Sequence, residues 1–136
     1  MQLNQVWIKQ NLPAGDLQLL KTCHASGVLR LTQSNYGIDQ TTYFRNNVFS
    51  KLNWVPIHGK EMASANFKII THGIDRGNFL LEISHKPSWE ANQDNYTTGI
   101  HLSPISHIIQ DQALIGKDLY LFNAQGYNYD YLIEIK

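Results

Sequence analysis

The chain has 136 residues, of which 43% are hydrophobic, enough for one compact core and a single domain. Eleven basic and eleven acidic side chains cancel to a formal charge of zero, which excludes a nucleic-acid binder that works by bulk charge alone. The single cysteine, Cys23, excludes an internal disulfide framework and a cysteine-rich zinc site, and reads as a small buried hydrophobe.

The N-terminus, MQLNQVWIKQNLP, has neither the basic start nor the apolar run of a signal peptide, and no stretch reaches membrane-spanning length. A soluble intracellular protein without a membrane partner is expected. The first 27 residues carry no clear pattern, though GDLQLLKTC is a candidate helix. From residue 28 the period is mostly two, the signature of half-buried strands. GVLRLTQ and TTYFR read as the first pair, separated by polar residues. RNNVFSKL follows as a short helix, with Asn46 or Asn47 as N-cap and Val48, Phe49 and Leu52 at helical spacing. NFKIIT and NFLLEISHK are strands; in the latter Phe79, Leu81 and Ile83 share one face, and Asn78, Glu82 and Ser84 the other. After TGIHL comes a second candidate helix, SPISHIIQDQALIG, with Ser103 as cap, Pro104 at its first position and Gly116 at its stop. DLYLFN and NYDYLIEIK complete the series, the last with Tyr129, Tyr131, Ile133 and Ile135 inward and Asn128, Asp130 and Glu134 outward. Seven such strands predict a mainly β fold, an antiparallel open barrel or sandwich with two short helices.

Charge is distributed unevenly. Residues 1–60 hold Lys9, Lys21, Arg30, Arg45, Lys51 and Lys60 against Asp16 and Asp39, a net +4 that the remainder balances with −4. A fold that gathers the first group would have a basic side. Twelve asparagines and ten glutamines equal all charged side chains together, so hydrogen-bonding amides are the more unusual feature.

Catalytic patterns are weak. The histidines (His24, His58, His72, His85, His101, His107) show no metal-ligand spacing, and no nucleophile elbow, Walker loop or dinucleotide fingerprint occurs. Asp130 with Glu134, Ile135 and Lys136 suggests the D…ExK centre of magnesium-dependent nucleases. Only three residues separate its acids, too few for the strand-to-strand arrangement such sites use, so the outward face of a core strand is the expected role. No metal or cofactor and no enzymatic activity of this chain alone are expected.

The stretch LTQSNYGIDQTTYFRNNVFSKL resembles the start of the B-three family of DNA-binding pseudobarrels, found in plant transcription factors and in the recognition domains of EcoRII-type and BfiI-type restriction endonucleases. The resemblance is carried by Leu31-Thr32, Ser34-Asn35, Gly37, Tyr43-Phe44-Arg45 and the helix Asn47 to Leu52. Downstream, Gly116 to Phe122 and Tyr131 to Ile135 are similar to the closing strand pair of that family. The resemblance covers about residues 28–135, with 1–27 as an N-terminal extension. It implies a seven-stranded open barrel that holds duplex DNA between two arms entering the major groove.

On that resemblance the first arm is the segment Thr32 to Thr42, and the second runs from His85 to Tyr96. Short amides, hydroxyls and carboxylates match the donors and acceptors of base edges. Gln33, Ser34, Asn35, Tyr36, Asp39 and Gln40 supply them in the first arm; Ser88, Trp89, Glu90, Asn92, Gln93, Asp94 and Asn95 line the second. Tyr43 matches a cleft-lining tyrosine of the restriction-enzyme members. The second arm is less basic than its EcoRII-type counterpart, having only Lys86, which shifts phosphate contact to Arg30, Arg45, Lys51 and Lys60. The expected function is sequence-specific recognition of double-stranded DNA in the prokaryotic cytoplasm, serving a nuclease catalytic domain outside this chain. A carbohydrate-binding β module using Trp7, Trp54 or Trp89 is the alternative from another class, and a transcription-factor domain of the same fold is a third.

Overall fold

The computed structural model describes residues 1–19, 27–32, 38–86 and 97–136. Eight strands are present among them: β1 (Gln2–Lys9), β2 (Val28–Leu31), β3 (Val55–Ile57), β4 (Lys60–Thr71), β5 (Ile74–His85), β6 (Thr98–His101), β7 (Leu119–Gln125) and β8 (Tyr131–Ile135). Seven form one sheet in the order β1-β7-β8-β4-β5-β6-β2, and β3 folds back on β4 as a short hairpin. All pairings are antiparallel except β4 with β8, where Phe67 lies opposite Tyr131 and Ile69 opposite Ile133. The sheet curls into an open half-barrel, so the mainly β architecture expected from the period-two pattern is present.

The strands form where alternation is cleanest. In β4 the inward set Ala63, Ala65, Phe67 and Ile69 is buried while Ser64 and Asn66 face out, and in β5 Leu81 and Ile83 do the same against Leu80 and Glu82. Ser84 lies on the outward face as expected but is buried, because the His101 ring covers it at 3.1 Å. Aromatic rings close the core: Tyr131 stacks on Phe67 at 5.3 Å and meets Phe49 edge-on at 5.0 Å, with its hydroxyl donating to the Val48 carbonyl at 2.7 Å. Burial raises the Tyr131 phenol far above its usual range, so it stays a donor.

TTYFR is not a strand. Thr41 and Thr42 continue a turn, Tyr43 is already helical, and Phe44–Val48 form one turn of π-helix closed by Phe49 N–H donating to the Phe44 carbonyl at 2.8 Å. The β-branched and aromatic composition favoured extension, but the Asp39 carboxylate accepts from Thr41 N–H at 3.0 Å and its carbonyl accepts from Tyr43 N–H at 2.8 Å. That local capping turns the chain before a strand can start, and burial of Phe44, Val48 and Phe49 fixes the coil. Asn46 and Asn47 are therefore exposed positions within the coil rather than its caps. The seven-strand expectation counted TTYFR and lacked β1 and β3.

GDLQLLKTC is not helical where it is described. Residues 14–18 make turns, and Gln18 takes a left-handed backbone (φ 59°) that ends any helix. The rest of that stretch, with Cys23, lies outside the described residues. SPISHIIQDQALIG divides into two short 3₁₀ turns, Ser103–Ile105 and Gln112–Leu114, around a four-residue helix α1 (Ser106–Ile109). Ser103 makes no capping bond; the cap that forms is Asp111, accepting from Ala113 N–H at 2.9 Å.

Candidate nucleic-acid interface

Register brings three strand ends into one row. Leu31 at the end of β2 lies opposite Thr98 at the start of β6, and His85 at the end of β5 lies opposite the same Thr98. The intervals 33–37 and 87–96 therefore begin at one end of the sheet. Their described flanks are tied together. The Trp7 indole N–H donates to the Thr32 carbonyl at 2.8 Å, Lys86 N–H to the Thr97 carbonyl at 2.9 Å, and the Thr97 hydroxyl to the Gln40 carbonyl at 2.8 Å. Thr97 and Thr98 are fully buried, while Thr32, Gln40 and Lys86 on the other side of these bonds are half-buried.

A polar cluster lies beneath this row. The Arg45 guanidinium forms a bidentate pair with Glu61 at 3.1 and 3.0 Å and sits 4.5 Å over the Trp54 ring. Trp54 meets the His85 ring edge-on at 6.2 Å, and His85 Nδ1 is 2.8 Å from the Thr98 hydroxyl. Glu61 and His85 are register partners on β4 and β5. The hydrogen bonds from Arg45 hold the Glu61 carboxyl below its usual value, whereas burial lowers the His85 imidazole despite the pull of Glu61. The cluster is a brace, built from a cation, a carboxylate and two rings, under the segment leading into 87–96.

The expected recognition residues fall into three groups. Gln33, Ser34, Asn35, Tyr36, Ser88, Trp89, Glu90, Asn92, Gln93, Asp94 and Asn95 lie outside the described residues. Asp39, Gln40 and Tyr43 have structural contacts: Asp39 caps its turn, Gln40 receives Thr97, and the Tyr43 hydroxyl donates to the Val6 carbonyl at 2.5 Å with its ring edge-on to Phe44. Among the cations, Lys9 is paired with Asp16, which the net +4 already counts, and Arg45 with Glu61 from the second half, which neutralises one charge of that excess in place. Arg30 is exposed opposite Gly99, Lys86 is half-buried, and Lys51 is exposed beside a polar cleft of about 250 Å³ that it lines with Asn47, Asn123, Gln125 and Asp130.

Sequence reasoning missed the brace. Its members Arg45, Trp54, Glu61, His85 and Thr98 span more than fifty positions, and only the β4–β5 register reveals that Glu61 and His85 meet.

The carboxylates of the D…ExK pattern have other work. The Asp130 carboxylate accepts from Asn66 N–H at 2.9 Å, and Glu134 lies 3.9 Å from the Lys136 ammonium. Among the described residues no three His, Cys, Asp or Glu side chains come together as a metal site. Of the tryptophans considered for sugar stacking, Trp7 is fully buried, Trp54 is flanked by Arg45 and His85, and Trp89 lies outside the described residues. No described helix is long and apolar enough to cross a membrane. Comparison of the chain with protein-family models, with curated proteins and with solved structures found no match.

Proposed function

We propose that the chain is a recognition domain for double-stranded DNA that reads bases with the segments 33–37 and 87–96 and serves a nuclease catalytic domain outside this chain. One observation carries the reading: two amide-rich segments start from a single row of the sheet, Leu31, Thr98 and His85, and the Thr97–Gln40 bond holds their flanks together. Sequence reading needs short polar side chains on a rigid base, because a base edge rewards matched donors and acceptors only when their spacing is fixed. Buried threonines and the Arg45–Glu61 brace give that base.

Positioning on the phosphates falls to Arg30, Lys51, Lys60 and Lys86, with Arg45 reassigned from phosphate ligand to brace. Recognition makes and breaks no covalent bond. Titration of a fluorescent duplex at several salt concentrations tests the reading: binding should weaken with salt at a log–log slope of roughly −0.9 per phosphate neutralised. No binding at low salt would reject it. The burial of Trp7 and the contacts on Trp54 weigh against the carbohydrate alternative.

A further inference from the structure

A groove of about 560 Å³ runs across the outward face of β4 and β5, walled by the β3 hairpin on one side and by the segment after β6 on the other. Its volume is that of a site for a small organic molecule. Three large apolar side chains in its walls stay exposed: Val55 at 52%, Ile57 at 41% and Leu80 at 62%. Met62, the register partner of Val55, extends the same apolar strip. Exposed aliphatic surface gathered around one concavity is costly in water unless something covers it.

The polar part of the groove is equally particular. Among the described residues Glu82, opposite Ser64 on the neighbouring strand, is the one formally charged side chain that lines it; Lys60, at the start of β4, lies outside the lining but close enough to act on His101. Beside it stands the His101 imidazole, fixed by Ser84 at 3.1 Å. Burial keeps this ring below its usual pKa and so neutral near pH 7, able to accept a hydrogen bond and unable to repel a cation. An aliphatic strip ending at a carboxylate matches a molecule with an apolar body and a positively charged head.

We propose that this groove binds an amphiphilic amine, its alkyl or aryl body lying over Val55, Ile57, Met62 and Leu80 and its ammonium paired with Glu82. The proposal uses described residues alone and none of the proposed DNA-reading positions, so it stands or falls independently of that reading. A carboxylate head would meet like charge at Glu82, and a neutral head would lose the ion pair, so affinity should rank by head charge at constant chain length.

The experiment titrates octylammonium, octanol and octanoate into the protein and follows backbone amide resonances by NMR. Octylammonium should shift the Val55, Leu80 and Glu82 resonances saturably at one equivalent, with octanol about tenfold weaker and octanoate weaker again. Glu82 is exposed, so E82Q should leave the melting temperature unchanged while bringing octylammonium down to the octanol affinity. Leu80→Ser, also at an exposed position, should weaken all three ligands alike. Absence of saturable shifts, equal affinity for octylammonium and octanoate, or an E82Q variant that keeps full octylammonium affinity would each overturn the proposal.

Discussion

The Thr97 hydroxyl donates to the Gln40 carbonyl at 2.8 Å, joining chain positions 57 residues apart at the base of the two proposed reading segments. Each partner borders an interval rich in asparagine, glutamine and serine, and Thr97 also receives Lys86 N–H on its own carbonyl. One buried residue thus joins Lys86, before the second interval, to Gln40, after the first. Rigid spacing between two reading heads is what distinguishes a recognition surface from two independent polar loops.

Thr97→Val keeps the shape of the side chain and removes only the donor. The Gln40 carbonyl then loses a buried partner, which should lower unfolding free energy by about 1–2 kcal/mol in urea denaturation. DNA affinity for the preferred sequence should fall as well, because the two segments lose their common tie. A variant with native stability would show that this bond is not made in solution.

How much of this was legible from the sequence depended on where the decisive interaction lies. Strands with clean alternation, such as NFLLEISHK and YLIEI, announce themselves because the same residues that set the pattern form the core. β1 gave no such signal: its first four residues are exposed, and Trp7 is its one fully buried side chain. β3 contains Pro56, which reads as a strand breaker and is tolerated here because β3 pairs on one side only. TTYFR misled because an Asp39 cap, a short-range feature, outweighed β propensity. The outward-facing groove and the Arg45 brace were invisible for a different reason, since both depend on cross-strand register between residues far apart in the chain.

Arg45 and Lys51, only six positions apart, should behave differently. Arg45 is held by Glu61 and Trp54, so Arg45→Ala should cost about 1 kcal/mol of stability, lost from a partly exposed ion pair and a cation–ring contact. Its effect on the salt dependence of DNA binding should be small. Lys51→Ala should leave stability unchanged and lower the salt slope by about one. Thermal melts and salt titrations of both variants separate the roles, and a reversed pattern would return Arg45 to the phosphate contacts.

Acid should destabilise the fold in two stages. His85 and His101 are held below the ordinary value of 6.5, chiefly by burial, so the unfolded chain takes up protons first as pH falls. Stability is therefore flat above about pH 6.5 and declines as pH drops below it towards the folded-state values. Glu61 acts lower: Arg45 depresses its pKa below 4.5, so its contribution is present above that value and lost as pH falls through the folded pKa. Urea melts across this range should show the first decline, and His101→Gln should remove part of it. Equal stability at about pH 5 and about pH 7 would contradict the burial of both rings.

Trp7 tests whether the N-terminal strand belongs to the core. It is fully buried, meets Phe44 edge-on at 5.8 Å and donates to Thr32 at the foot of the first segment. Trp7→Ala should cost about 3–5 kcal/mol, a large part of the stability of a domain this size. Removing residues 1–9 should abolish cooperative unfolding, followed by circular dichroism. A truncated chain that melts like the full one would make β1 an appendage.

The last test separates base reading from mere polarity. A preferred duplex is first selected from a random pool, and alanine variants of Asn35, Asn92 and Asp94 are then measured on it and on a random duplex at one fixed salt. A side chain matched to a base edge loses its hydrogen bonds only on the preferred site, so each reading variant should cost about 1–3 kcal/mol there and much less on random DNA. Asp39→Ala is the internal contrast. Its carboxylate caps the turn into the π-helix, so its loss should lower stability and weaken both duplexes together, whereas Asp39→Asn, which retains an accepting oxygen, should restore both. Amides outside the segments, such as Asn66 on β4, should leave the preference untouched. If all three variants keep their full preference for the selected sequence, the reading heads lie elsewhere, and the polar richness of 33–37 and 87–96 serves only to keep those segments in water.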